Sequence, residues 1–175
     1  MIILSCLILT FLIPIVLAQY LFKHASALHL KTSNHGILIT PAIPANQLPF
    51  KPLINKWSLL YNSTSCCDKN CLMNVWVTHQ MIKSFGADSA RLHSVILLPA
   101  TCSVYPITQT FSKDTVKTEI IQVTSNQMKN NLHLAGDQLY IIDPNGNLMM
   151  FYKKNYNPLD LHSDLSQLLR VSSIG

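Results

Sequence analysis

The stretch STSCCDKNC, Ser63 to Cys71, puts three of the chain's five cysteines within six residues. Cys67 and Cys71 have the spacing CxxxC and stand where an apolar run, WSLLY, gives way to a helix-like one, LMNVWVTHQMIKSF. A helix N-terminus carries partial positive charge and free N–H groups, and both favour thiolate over thiol. If the helical turn begins at residue 67, positions i and i+4 set both sulfurs on one face. Such a pair can close a disulfide, exchange one with a partner, or offer two soft ligands to Cu(I). An inert bridge, Cys67–Cys71 or Cys66–Cys71, would use the same residues. Structural zinc fits less well, because it wants four ligands and no second CxxC or HxxxH pair is present.

The remaining candidates are weaker. Of the seven histidines, His133 alone lies just before the LYIID run, at an end that can face the cysteine loop in an alternating α/β layout. His79 and His93 read as surface or core-edge residues, His162 as part of the last helix, and His24, His29 and His35 as part of a linker. Cys102 reads as a spare thiol and Cys6 as a small hydrophobe. Cys66 has no assigned role. No Ser–His–Asp set or carboxylate pair with useful spacing stands out, so hydrolase chemistry is not supported. The formal charge is +5, yet the lysines are scattered without a basic stripe or interleaved aromatics, which argues against a nucleic-acid partner.

Several elements must position the cysteines. KWSLLY (56–61) and HSVILLP (93–99) read as buried strands, with a helix from Cys71 to Phe85 between them that Gly86 stops. Residues 100–116 read as a polar loop. TEIIQVT (118–124) is a strand, and SNQMKNNL (125–132) a short helix with Ser125 as its cap. Two apolar runs flank Asp143-Pro144-Asn145-Gly146, the signature of a hairpin turn. NPLDLHSDLSQLLRV closes the chain as an amphipathic helix, with Leu161, Leu165, Leu168 and Leu169 on one face. This order predicts an α/β, thioredoxin-like domain.

Ahead of it, Ile2 to Phe22 carries no charge. As a helix it would span roughly 30 Å, the hydrocarbon thickness of a bilayer. A cleaved signal peptide is the rival reading, since Val16-Leu17-Ala18 resembles a cleavage site. The absence of a basic start and the continuation to Phe22 favour an uncleaved transmembrane helix. Residues 1–23 are thus expected to be an anchor, 24–49 a proline-containing extended linker in which GILIT can pair as an edge strand, and 50–175 the thioredoxin-like domain. Lys23 and Lys31 follow the span and, read strictly, would keep the domain in the cytoplasm.

KWSLLY, Cys67-x-x-x-Cys71 and YIIDPNGNLMMFY together resemble the Sco/SenC family of cytochrome c oxidase copper-assembly proteins. NHGILITP, DPNGNLMM and the ending LLRVSSIG look like the small Sco-related transmembrane proteins associated with bacterial cytochrome oxidase genes. The resemblance covers roughly residues 34–175. It implies a single-pass protein of the inner membrane, held through residues 2–22, whose thioredoxin-like domain faces the periplasm. It also implies delivery of Cu(I) to the copper A site of oxidase subunit II, or reduction of that site's cysteines, with subunit II or its assembly factors as partners. Such a protein is a copper and thiol assembly chaperone rather than a turnover enzyme. Cys67 and Cys71 match the family's thiol pair. The family's histidine stands eight residues before the hairpin aspartate, where this chain has Ala135, and His133 is displaced by two. The proline between the family's cysteines is replaced, with Asp68 following Cys67. A thiol–disulfide oxidoreductase and a non-catalytic subunit of the oxidase assembly complex are the alternatives.

Overall fold

The computed structural model describes residues 2–23, 33–48, 50–124, 126–127 and 134–172. His24, His29, Lys31, the expected helix SNQMKNNL apart from residues 126–127, and His133 lie outside these. The chain divides into two units, Met1–Ser33 and Asn34–Gly175.

The first unit contains one helix, α1 (Ile2–Lys23), which runs through Pro14 without interruption. Counted over the described residues, no helix is long and apolar enough to cross a membrane. The spanning segment expected over 2–22 is therefore a helix here, and the structure does not show it as a span.

The second unit is a six-stranded sheet with helices packed on it. Its strands are β1 (Ile37–Ile43), β2 (Trp57–Asn62), β3 (Leu92–Pro99), β4 (Thr118–Val123), β5 (Gln138–Ile142) and β6 (Leu148–Tyr152), in the order β1-β6-β5-β2-β3-β4. β2, β3 and β4 are parallel, while β5, β6 and β1 add on antiparallel. Helix α2 (Lys69–Ser84) connects β2 to β3, α3 (Tyr105–Thr110) precedes β4, and α4 (Pro158–Val171) ends the unit. This is the mixed α/β, thioredoxin-like layout that strand–helix alternation predicts.

Each apolar run is explained by where it lands. All six residues of β2 are buried, as expected of a central strand covered on both faces. Leu59 and Tyr61 face a core shared with Val75 and Ile82 of α2 and Leu161, Leu165 and Leu169 of α4. Leu60 faces a second core with Val95, Leu97, Tyr140 and Ile43. The β5–β6 hairpin turns through Asp143–Gly146, where the Asp143 carboxylate accepts the N–H groups of Asn145 and Asn147. Gly146 takes φ 87°, which a side chain would resist.

GILIT pairs as an edge strand, as expected within the 24–49 linker, and the strand runs on to Ile43 beside β6. Pro41 is accommodated there because β1 is an edge strand, which need not supply every N–H to a neighbour. The polar loop drawn over 100–116 contains α3, started by Pro106 in its first turn, where a missing N–H costs nothing. On α2, Val75, Met81 and Ile82 face the core as the pattern predicts, whereas Met73 and Trp76 are about half exposed, at 54% and 50%.

Candidate functional site: the cysteine loop at the entry to α2

The cysteine loop leaves the C-terminal end of β2. Ser63 stays fastened to the neighbouring strand, its N–H donating to the Leu97 carbonyl at 3.0 Å, and its hydroxyl donates to the Ser65 carbonyl at 2.9 Å. The chain then enters α2 through Asp68, the N-cap, whose Oδ1 accepts the Cys71 N–H at 2.9 Å. Asp68 thus satisfies one of the orphan donors at the helix end and puts a carboxylate at its positive pole.

Cys67 and Cys71 are bonded to each other, with Cα atoms 5.1 Å apart. Cys67 does not begin the helical turn, as an i, i+4 reading requires. It precedes the cap, and Cys71 is the third helical residue. The sulfurs meet because the chain bends at Asp68, not because both lie on one helical face. Both cysteines belong to the core, at 9% and 2% exposure, against Tyr61, Val75 and Ile107.

Cys102 is not a spare thiol: it is bonded to Cys66, 36 residues away. The parallel register explains the meeting. Asn62 at the end of β2 lies opposite Leu97 in β3, so Cys66 and Cys102 stand four and five residues beyond paired positions. The turn bearing Cys102 is held by its N–H to the Pro99 carbonyl, at 2.9 Å, and by Gln122 Nε2 donating to its carbonyl at 2.7 Å. Nothing local marks this pairing, since it depends on which strands are neighbours.

A third loop packs on the cysteines. Asn62 Nδ2 donates to the carbonyls of Leu134 and Ala135, at 3.1 and 3.0 Å. Gly136 lies against the Thr64 side chain so closely that a Cβ there would strike Thr64 Cγ2. The segment following His133 therefore does face the cysteine loop. Ala135, at the position expected to hold the family's histidine, contributes a carbonyl already engaged by Asn62 and Tyr140. Among the described residues no group of three His, Cys, Asp or Glu side chains could hold a metal.

Beside the loop opens a cleft of about 310 Å³ lined by Tyr61, Asp68, Asn70, Asn74, Asp137 and Tyr156, among others. Burial, then the charges of Asp137 and Asp68, pushes the Tyr61 hydroxyl up to about 12. Burial and neighbouring Tyr61 do the same for Tyr156. Both phenols stay protonated and can donate hydrogen bonds. Sequence reasoning missed these residues, because β2, α2 and the β4–β5 and β6–α4 connections meet there only in space.

His79 is fully buried rather than at a surface or core edge. Its Nε2 lies 2.5 Å from Thr118 Oγ1 and its Nδ1 3.1 Å from Asp114 Oδ2. This row has the order of a hydrolase triad. With its imidazole at 0% exposure and the Asp114 contact out of line for a hydrogen bond, it serves packing.

Residues 57–172 match the family described as transmembrane-like, thioredoxin-like, C-terminal domain. The chain belongs to that family. No curated protein matches it by sequence. Among solved structures this transmembrane-like, thioredoxin-like chain is similar to Arabidopsis thaliana ScoI with copper bound, at 15% identity and TM-score 0.53, over 81% of this chain and 100% of that one. It is similar to yeast Sco1 at 16% identity and TM-score 0.55, over 68% and 83%. It is also similar to BsSco, a member of the Sco family of cytochrome c oxidase assembly proteins with a disulfide switch, at 10% identity and TM-score 0.52, over 81% and 98%. The fold is that of the Sco/SenC proteins.

Proposed function

We propose that this chain is a membrane-anchored, thioredoxin-fold accessory factor for cytochrome c oxidase biogenesis that works by thiol–disulfide exchange at Cys67–Cys71. The observation that carries the reading is the bonded pair at the entry to α2, in a fold shared with Sco proteins. With the bridge reduced, one thiolate attacks a partner disulfide and forms a mixed disulfide. The second thiolate closes the Cys67–Cys71 bond and releases the partner as a dithiol, two electrons richer. The cysteines of the copper A site of oxidase subunit II are the substrate this reading assigns.

Carriage of Cu(I) as cargo is the second reading. The reduced pair supplies two soft ligands, and a solved Sco structure holds copper. A third ligand must then come from the partner or from His133. The anchor is supported by the 21 uncharged residues Ile2–Phe22 and by α1's exposed Leu9, Phe11, Ile13, Ile15 and Leu17, an apolar surface suited to lipid. The domain is assigned to the periplasm, where an oxidising milieu maintains such bridges.

The test mixes the reduced full chain, in detergent, with the oxidised copper A domain of subunit II and counts thiols. One disulfide reduced per chain is expected, and none with Cys67→Ser or Cys71→Ser. Full activity in either variant sinks the reading. Uptake of one Cu(I) by the reduced chain, lost in both variants, would add the cargo role. Alkaline phosphatase fused to the C-terminus should be active, and an inactive fusion would reverse the topology.

A further inference from the structure

The two bridges are covalent neighbours, since Cys66 of one is joined by a peptide bond to Cys67 of the other. They differ in reach. Cys67, Cys71 and Cys102 are 9%, 2% and 5% exposed, whereas Cys66 is exposed, as are Thr64 and Ser65 before it. Thiol–disulfide exchange begins with a thiolate attacking one sulfur, and its rate depends on access to that sulfur. Of the four bonded cysteines, Cys66 is the one an external thiol can approach.

The geometry points to Cys66–Cys102 as a second redox site, the portal through which a dithiol partner reduces the buried Cys67–Cys71 pair. This inference rests on the thiol–disulfide reading above. A thiolate of the donor dithiol attacks Cys66 Sγ, the Cys66–Cys102 bond breaks, and Cys102 leaves as thiolate. The donor's second thiolate closes the donor disulfide and releases Cys66 as thiolate. Cys66 then attacks Cys67 Sγ, breaking the Cys67–Cys71 bond, and Cys71 leaves and takes a proton. Cys102 attacks Cys66, restoring the original bridge, and Cys67 leaves and takes a proton. Two electrons and two protons have passed from donor to Cys67 and Cys71. Adjacent Cα atoms lie ~3.8 Å apart, shorter than disulfides prefer, so the Cys66–Cys67 bond is strained and suits a transient. Once free of Cys71, Cys67 stands ahead of the helix cap between exposed residues 64–66 and 68–70, free to turn toward a partner.

The test uses the oxidised full chain in detergent. It is mixed with one equivalent of dithiothreitol, sampled over time, quenched with acid, alkylated with N-ethylmaleimide and mapped by peptide mass spectrometry. Label on Cys66 and Cys102 should appear first, then decline as label on Cys67 and Cys71 grows. In the double variant Cys66→Ser/Cys102→Ser, reduction of Cys67–Cys71 should slow by about tenfold or more, because its exposed entry point is gone. Should that variant fail to fold, the order of labelling in the unaltered chain decides. Label on Cys67 and Cys71 with none earlier on Cys66 and Cys102 overturns the portal and leaves a structural staple, while the thiol–disulfide reading stands. Label that stays on Cys66 and Cys102 overturns the transfer. Label on neither pair sinks both ideas.

Discussion

His79 of α2 faces Asp114 at 3.1 Å, and His35, ahead of β1, faces Asp164 of α4 at 3.0 Å. The residue types are the same, and both carboxylates are largely withdrawn from water, but the imidazoles differ in burial. In the first pair the imidazole is buried; in the second the carboxylate is buried and the imidazole side chain is 46% exposed. Burial lowers the His79 pKa despite Asp114, with Lys83 adding to the fall. The hydrogen bond to Asp164 raises that of His35, with Asp164 and Asp160 charges assisting. For Asp164, burial opposes ionisation, and hydrogen bonds from Tyr152, Gly36 and His35 overcome it, so its pKa falls. The lesson is that a pair's protonation follows whichever member loses water and how many donors replace that water. His79–Asp114 braces the site helix against the chain around β4. Asp164 clasps the segment entering β1 to α4.

The largest expected effect tests the clasp. Asp164 accepts from the backbone N–H of His35 and Gly36, from His35 Nδ1, and from the Tyr152 hydroxyl at 2.6 Å. Asp164→Asn should lower unfolding free energy at pH 7 by about 3 kcal/mol, because buried donors lose a charged acceptor. Asp114→Asn should cost only about 1 kcal/mol, since its Lys83 partner is partly solvated. Equal costs in urea melts would break the contrast.

Tyr152→Phe should remove about 1–1.5 kcal/mol by deleting one charge-assisted hydrogen bond. It should also raise the Asp164 pKa. The depressed Asp164 stabilises the fold above its unfolded pKa and ceases to as pH falls through its folded one. Acid unfolding of the variant should therefore begin at a higher pH, and an unmoved acid midpoint would show that the hydroxyl is not the deciding donor.

The smallest effect concerns slopes around pH 6.5. His79, lowered in the fold, stabilises fully above about 6.5 and loses that contribution as pH falls toward its folded value. His35, raised in the fold, stabilises fully below about 6.5 and loses that contribution as pH rises through its folded value. Stability measured from pH 5 to 8 should thus fall less on acidification in His79→Gln, and more in His35→Gln, than in the unaltered chain. Slopes that change in the same direction would refute the opposition.

Much of the site helix was readable in advance. Val75 and Ile82 follow the 3.6-residue period; His79 lies between them at i+4 and i−3, on the same buried face, which its polarity conceals, so that it reads from the sequence as a surface or core-edge residue. Trp76 follows the same apolar pattern and is half exposed, in the middle of α2. Nothing local distinguishes His35 from its linker neighbours, because its partner, Asp164, lies 129 residues away.

The sequence by itself determined β2, β3 and α2 around the cysteines (though not α3), the hairpin at Asp143–Gly146, and the CxxxC at the start of α2. These follow from periodicity and turn chemistry, which act over a few residues. Tertiary structure alone decided that Cys66 pairs with Cys102, that Gly136 packs on Thr64, and which of the four bonded cysteines is exposed. The parallel register of β2 and β3 brings residues past their ends together, and no local rule encodes which strands will be neighbours.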